Sequence, residues 1–280
     1  MIIDSHVHVS AATDLGGFRT PPLTGEHLLR LMDGPFLVDG QPRRVDRAVL
    51  QPLISVPEGH DPLAHHRYVA EQVGKHPDRF CGCFVANPLL DTDLTLSCLR
   101  QLVPNAGFRM VKFHPTVHGY MPFRVRDRIE PVLREAARLG VPVMFHQGDP
   151  PFGHPTQLTG MMEAHRDVTF VLAHFATQRV VMADEAIYVA RMNPNVVLET
   201  SWVDLPRVKE GVEALGAGRI AFGSDCPVQE MGSQLRTLEV LGWDPPIGIR
   251  LPAAQREQLF GDNMANLLGW GASALTVTAG

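Results

Sequence analysis

The 280-residue sequence predicts an α/β fold, a (β/α)8 TIM-type barrel formed as one domain over residues 1–280, and three observations carry that expectation. Short apolar runs rich in β-branched residues recur about once every 35 residues. Helical patterns with their own start and stop signals separate them. The polar residues that interrupt the runs gather at their C-terminal ends, where barrels of this kind place their chemistry.

Taken in order, the candidate strands are residues 2–5, 47–50, 80–85, 110–113, 141–145, 168–173, 195–198 and 219–222. Near-continuous apolar runs suit a parallel sheet that is buried on both faces. Between them, Val125, Ile129, Val132, Leu133 and Ala136 recur at helical spacing, and Gly140 follows as a stop. Val208, Val212 and Leu215 repeat that pattern between Asp204, an N-cap, and Gly216, a stop. Asp91 caps a helix that contains Leu94, Cys98 and Leu102. Strand followed by helix, eight times, describes a barrel. Residues 11–25 and 55–62 read as long loops on the rim, and residues 272–280 as a loosely ordered tail.

Composition narrows the function. The net charge is −5 with no run of Lys or Arg, which argues against a nucleic-acid partner. No stretch of about 18 apolar residues suggests a membrane span. The first residues do not resemble a secretory leader, so a cytoplasmic protein is expected. Cys81, Cys83, Cys98 and Cys226 read as reduced, buried thiols.

The first segment leads into His6 and His8, the fourth ends in Lys112 and His114, the fifth in His146, the sixth in His174, the seventh in Glu199 and the eighth in Asp225. Side chains two apart on a strand share a face, so His6 and His8 should enter the barrel together while Val7 faces the helices. Segment eight closes against segment one and brings Asp225 beside them, with His146 across the mouth. Three imidazoles and one carboxylate suit Zn²⁺ or another first-row divalent ion.

The stretches DSHVH, KFHP, FHQG, LAHF, FGSDCP and LFGDNMANLLG, in this order from residue 4 to residue 269, make the chain resemble the amidohydrolase superfamily. It is most like the amidohydrolase-related branch that contains aminocarboxymuconate semialdehyde decarboxylase, resorcylate-type decarboxylases and pyrone-dicarboxylate lactonase. The resemblance implies that His6, His8, His146 and Asp225 hold one divalent metal ion, with zinc expected. It also implies that Asp225 and His174 are catalytic, His174 acting on the substrate or on bound water. Binuclear members carboxylate a lysine at the position of Lys112; here a charge contact to the substrate or to Glu199 is expected instead. The expected activity is hydrolysis of a small amide, ester or lactone by a metal-activated water. The alternative is metal-dependent, non-oxidative decarboxylation of an aromatic or unsaturated carboxylic acid. Substrate contacts are sought among Lys112, His114, Arg19, His60, His118 and Trp202. The partner is a small molecule, and a homodimer is allowed for, although no interface is legible.

Overall fold

The computed structural model describes residues 1–10, 22–52, 63, 66–176 and 180–270. Eight parallel strands follow one another around a barrel: β1 Ile3–Val9, β2 Arg47–Pro52, β3 Phe80–Ala86, β4 Phe108–Phe113, β5 Val143–Phe145, β6 Phe170–Leu172, β7 Val196–Glu199 and β8 Ile220–Ala221. All eight expected strands are present, in the expected order. The helix signals also hold. Asp91 Oδ1 accepts from Leu94 N at 2.8 Å ahead of Thr92–Asn105. Gly140 ends Arg126–Leu139 in the left-handed region at φ 69°, and Asp204 caps Leu205–Leu215.

The barrel closes along a seam rather than a full ladder. β8 is only two residues long, and the chain beyond it runs beside β1. Ser5 N donates to Phe222 O at 3.1 Å, Asp225 N to His6 O at 2.8 Å and His8 N to Cys226 O at 2.7 Å. Asp4 reinforces this seam from within. It is fully buried and accepts from Ser224 Oγ at 2.5 Å, Ser224 N at 2.9 Å and His6 N at 3.1 Å.

The barrel interior below the mouth is a packed plug. Ile3, Val49, Cys81, Cys83, Met110, Met144, Val171, Val197 and Ala221 fill it, one or two residues from each strand, and Met264, Leu268 and Trp270 join this same cluster. A filled interior makes the barrel a core and confines any site to its mouth. The opposite strand faces, Val7 among them, pack on the surrounding helices. The four cysteines are buried and form no disulfide. No described helix is long and apolar enough to cross a membrane.

One element lies outside the expected pattern. Phe36–Val38 and Gln41–Arg43 form an antiparallel hairpin whose turn residues, Asp39 and Gly40, have φ of 53° and 72°. Asp-Gly with two positive φ values is the turn that matches strand twist, so the signal was present within the eight residues Phe36 to Arg43 of otherwise loop-like sequence.

Candidate metal centre and active site

Strand β1 carries a register shift against β2 between Asp4 and Val7. Ile3 points into the plug, so simple alternation would send residue 7 inward as well. The irregularity reverses that parity: Val7 joins the helix-facing core, and His6 and His8 face the mouth. Both imidazoles bring Nε2 to Asp225 Oδ1, each at 3.1 Å.

What holds each ring from outside decides which nitrogen faces inward. His8 Nδ1 lies 2.9 Å from Pro52 O, a carbonyl that can only accept, so Nδ1 carries the proton and Nε2 presents a lone pair. His146 Nε2 donates to Asp149 Oδ2 at 2.7 Å, leaving Nδ1 bare. Ser201 Oγ gives its proton to Glu199 Oε2 at 2.8 Å and therefore accepts from His174 Nδ1 at 2.7 Å, which leaves His174 Nε2 bare. His6 Nδ1 meets Glu199 Oε2 at 3.0 Å, and its Nε2 shares a hydrogen bond of 2.7 Å with Lys112 Nζ.

The result is a set of acceptors facing acceptors. His8 Nε2 faces Asp225 Oδ1 at 3.1 Å, and His146 Nδ1 faces His174 Nε2 at 3.1 Å. Ligand atoms of His6, His174 and Asp225 all lie within 4.8 Å of one another. Buried lone pairs that converge without a proton between them fit a cation, and outer partners that fix the tautomer are the usual support of such a donor set. The residues present therefore fit a divalent metal ion.

Electrostatics point the same way. Burial pushes His8 down to about 4. It also lowers His146, and it takes His174 well below the ordinary imidazole value, with the His146 charge adding to the effect. Burial works against an ionised Asp225, but the charge and hydrogen bond of His6 outweigh it and draw the carboxyl well below the usual carboxylate range. Burial lowers the Lys112 ammonium. For His6, burial and Lys112 oppose the charged form, while Asp225 and Glu199 prevail and raise its pKa.

The amidohydrolase family matches residues 3–270, nearly the whole chain. The chain belongs to that family. Among solved structures, the amidohydrolase barrel is similar to a dihydroxybenzoic acid decarboxylase from a Polaromonas species, with bound manganese and the inhibitor 2-nitroresorcinol: TM-score 0.72 and 17% identity, covering 99% of each chain. It is similar to 2,6-dihydroxybenzoate decarboxylase from Rhizobium, with TM-score 0.71 and 16% identity over 96% of this chain and 98% of the other. It is also similar to 5-carboxyvanillate decarboxylase from Novosphingobium aromaticivorans in complex with manganese and 4-hydroxy-3-methoxy-5-nitrobenzoic acid, with TM-score 0.69 and 14% identity over 96% of each chain. At these identities the likeness shows the fold. Comparison with curated proteins by sequence gives no match.

Within this amidohydrolase, His6, His8, His146, His174, Asp225 and Lys112 come together as one buried cluster. His146 stands behind His174 rather than against Asp225, a finer point than strand order could decide. Lys112 Nζ hydrogen-bonds His6 Nε2 at 2.7 Å, and the charges of Asp225 and Glu199 act on it as well. His114 stacks on His146 with ring centroids 3.8 Å apart, and its Nδ1 accepts from Val117 N at 3.3 Å. It buttresses a cluster ring and caps the short helix Pro115–His118. His118 ends that helix, with its ring parallel to Tyr120 at 6.4 Å. Trp202 donates to Asp225 Oδ2 at 2.6 Å. Arg19 and His60 lie outside the described residues.

Sequence reasoning marked Glu199 as the polar end of segment seven but not as the partner of His6. It did not single out Asp149, whose spacing of three residues after His146 was the signal available. Ser201, Ser224 and Asp4 sit inside the motifs already noted, and only their contacts reveal what they do.

Proposed function

We propose that this chain is a metal-dependent decarboxylase that removes CO2 from a hydroxylated aromatic carboxylic acid, the second of the two activities the resemblance raised. The observation that carries this reading is end-to-end likeness, over 99% of each chain, to a barrel named for dihydroxybenzoic acid decarboxylation. In this proposal the set implied by the resemblance, His6, His8, His146 and Asp225, holds the ion, although His174 rather than His146 converges with His6 and Asp225 in this structure. Manganese, named with two of the similar structures, is the first ion to test, ahead of zinc. A nitrogen-rich set with one carboxylate accepts either. The ion would supply a Lewis-acid anchor for the substrate's carboxylate and neighbouring oxygen.

The remaining steps belong to side chains. Decarboxylation breaks the bond between ring carbon and carboxyl carbon, releases CO2 and places a proton on the ring carbon. Asp225 takes a proton from the substrate's hydroxyl and returns it to that carbon; the phenolate left behind recovers a proton from water. An ionised Asp225 at rest suits the first half of that exchange. His174 Nε2, a bare acceptor within the cluster, takes a hydrogen bond from a substrate hydroxyl. The Lys112 amine, 2.7 Å from His6 Nε2, is the cationic group that favours an anionic substrate.

The test is direct. The purified chain is loaded with Mn²⁺ or Zn²⁺ and given hydroxybenzoates and lactones, with CO2 and acid release followed in parallel. CO2 from a hydroxybenzoate is expected. Lactone opening with no CO2 from any hydroxybenzoate would restore the hydrolase reading. Metal content of His146→Ala and His174→Ala separates ligand from neighbour: the first should lose the ion and the second keep it.

A further inference from the structure

We propose that Trp202 is a positioning residue: its indole N–H holds the proton-transferring oxygen of Asp225, and its ring forms one wall of the substrate subsite. The identity of the substrate rests on the decarboxylase reading above, but the contact itself does not.

Asp225 divides its carboxylate between two kinds of partner. Oδ1 lies 3.1 Å from both His6 Nε2 and His8 Nε2, whereas Oδ2 accepts from Trp202 Nε1 at 2.6 Å. An indole N–H only donates and a carboxylate only accepts, so the polarity of this bond is fixed. With Oδ2 held by the indole, Asp225 meets the imidazoles through one oxygen and keeps the other for chemistry at the mouth.

The backbone supports the arrangement. Trp202 sits at φ 65°, a left-handed conformation that disfavours any residue with a Cβ. Thr200 N donates to Ala221 O at 3.0 Å and Val203 N to Thr200 O at 3.1 Å, so the turn that carries Trp202 is pinned to the barrel on both sides. Exposure gives the second half of the argument. Asp225 is 7% exposed and His8 6%, while Trp202 is 38% exposed. The indole is therefore the boundary of the cluster, with one atom on Asp225 and a large flat apolar surface toward solvent. A planar aromatic ring is the ligand such a surface takes.

Mn²⁺-loaded Trp202→Phe and Trp202→Ala are compared with wild type on 2,6-dihydroxybenzoate. Trp202→Phe keeps a ring and loses the donor: kcat should fall roughly ten- to a hundredfold, the scale of a hydrogen bond to a charged group, with KM little changed. Trp202→Ala should show that kcat loss and, in addition, a KM raised by about tenfold as the wall disappears. Mn²⁺ affinity should stay near wild type in both, because Oδ1 and the imidazoles remain. An unchanged kcat in Trp202→Phe overturns the proposal, as does loss of Mn²⁺ binding in step with activity, which a merely structural role would produce.

A wild type inactive on every hydroxybenzoate counts against the decarboxylase reading alone. The contact is then read by fluorescence, in metal-free chain carrying Trp243→Phe and Trp270→Phe so that Trp202 is the single emitter. Removing the acceptor by Asp225→Ala should shift its emission, and Asp225→Asn should shift it less. Identical spectra for all three chains overturn the contact whatever the substrate.

Discussion

Strands β1 to β4 run for 7, 6, 7 and 6 residues, whereas β5 to β8 run for 3, 3, 4 and 2. The long half places its functional side chains within the ladder itself: His6 and His8 lie inside β1 and Lys112 inside β4. The short half places them by leaving the ladder. His174, Trp202 and Asp225 have φ of 65°, 65° and 61°, and Phe175 and Ala176 continue the left-handed run after β6 at 48° and 57°. A ladder offers only two side-chain directions. Aiming three groups from adjacent strands at one point takes other directions, and the short half reaches them through backbone that is disfavoured elsewhere. Hydrogen bonds around the turns offset that strain: Glu199 takes His174 N at 3.3 Å and Ser201 N at 2.5 Å, and Asp4 takes Ser224.

The comparison breaks first if one half alone binds metal. His6→Ala from the ladder half and Asp225→Ala from the turn half should each lower decarboxylation by roughly a thousandfold or more, with metal lost from both. Metal retained at full stoichiometry in either variant would show that the halves do not converge on one ion.

Next in size is a pH effect read from one residue of the ladder half. His8 titrates at about 4 in the folded protein against an ordinary 6.5. Between those values the unfolded chain binds more protons, so this group's contribution to stability rises with pH across that window and is lost as pH falls through it. The difference between metal-free wild type and His8→Gln should therefore grow from pH 4 to 6.5 by up to about 3 kcal/mol. Urea unfolding in chelator measures it, and parallel profiles would remove His8 as the cause.

Glu199→Gln links the halves, since Glu199 ends β7 yet orients His6 of β1. Metal affinity should weaken about ten- to a hundredfold, the usual effect of removing an outer carboxylate. Calorimetric titration with Mn²⁺ reads this, and an unchanged affinity would make Glu199 a purely structural residue.

The smallest effect sharpens the contrast in backbone. Ala176→Gly, at φ 57°, should stabilise by about 1 kcal/mol, because glycine has no Cβ to clash in the left-handed region. Ala86→Gly, inside β3, should destabilise by about as much. Two changes of the same sign in thermal unfolding would mean that the turns of the short half are not strained.

By itself the sequence determined the barrel, the order of its strands and the family. Apolar runs, caps such as Asp91 and Asp204, and stops such as Gly140 are local signals, and local physics suffices to read them. It also brought His6, His8, His146, His174 and Asp225 to one mouth, because strand order alone assigns each strand end to that rim. Tertiary structure decided the rest. The register shift that turns His6 and His8 inward depends on pairing with β2, a partner about 40 residues away. Which nitrogen each imidazole presents depends on Pro52, Glu199 and Ser201, which reach it across strands, and on Asp149 in the loop that follows His146. The left-handed turns at His174, Trp202 and Asp225 leave no trace in residue type, since none is glycine. Such conformations persist only where surrounding contacts over-determine them, and those contacts exist only once the barrel has closed.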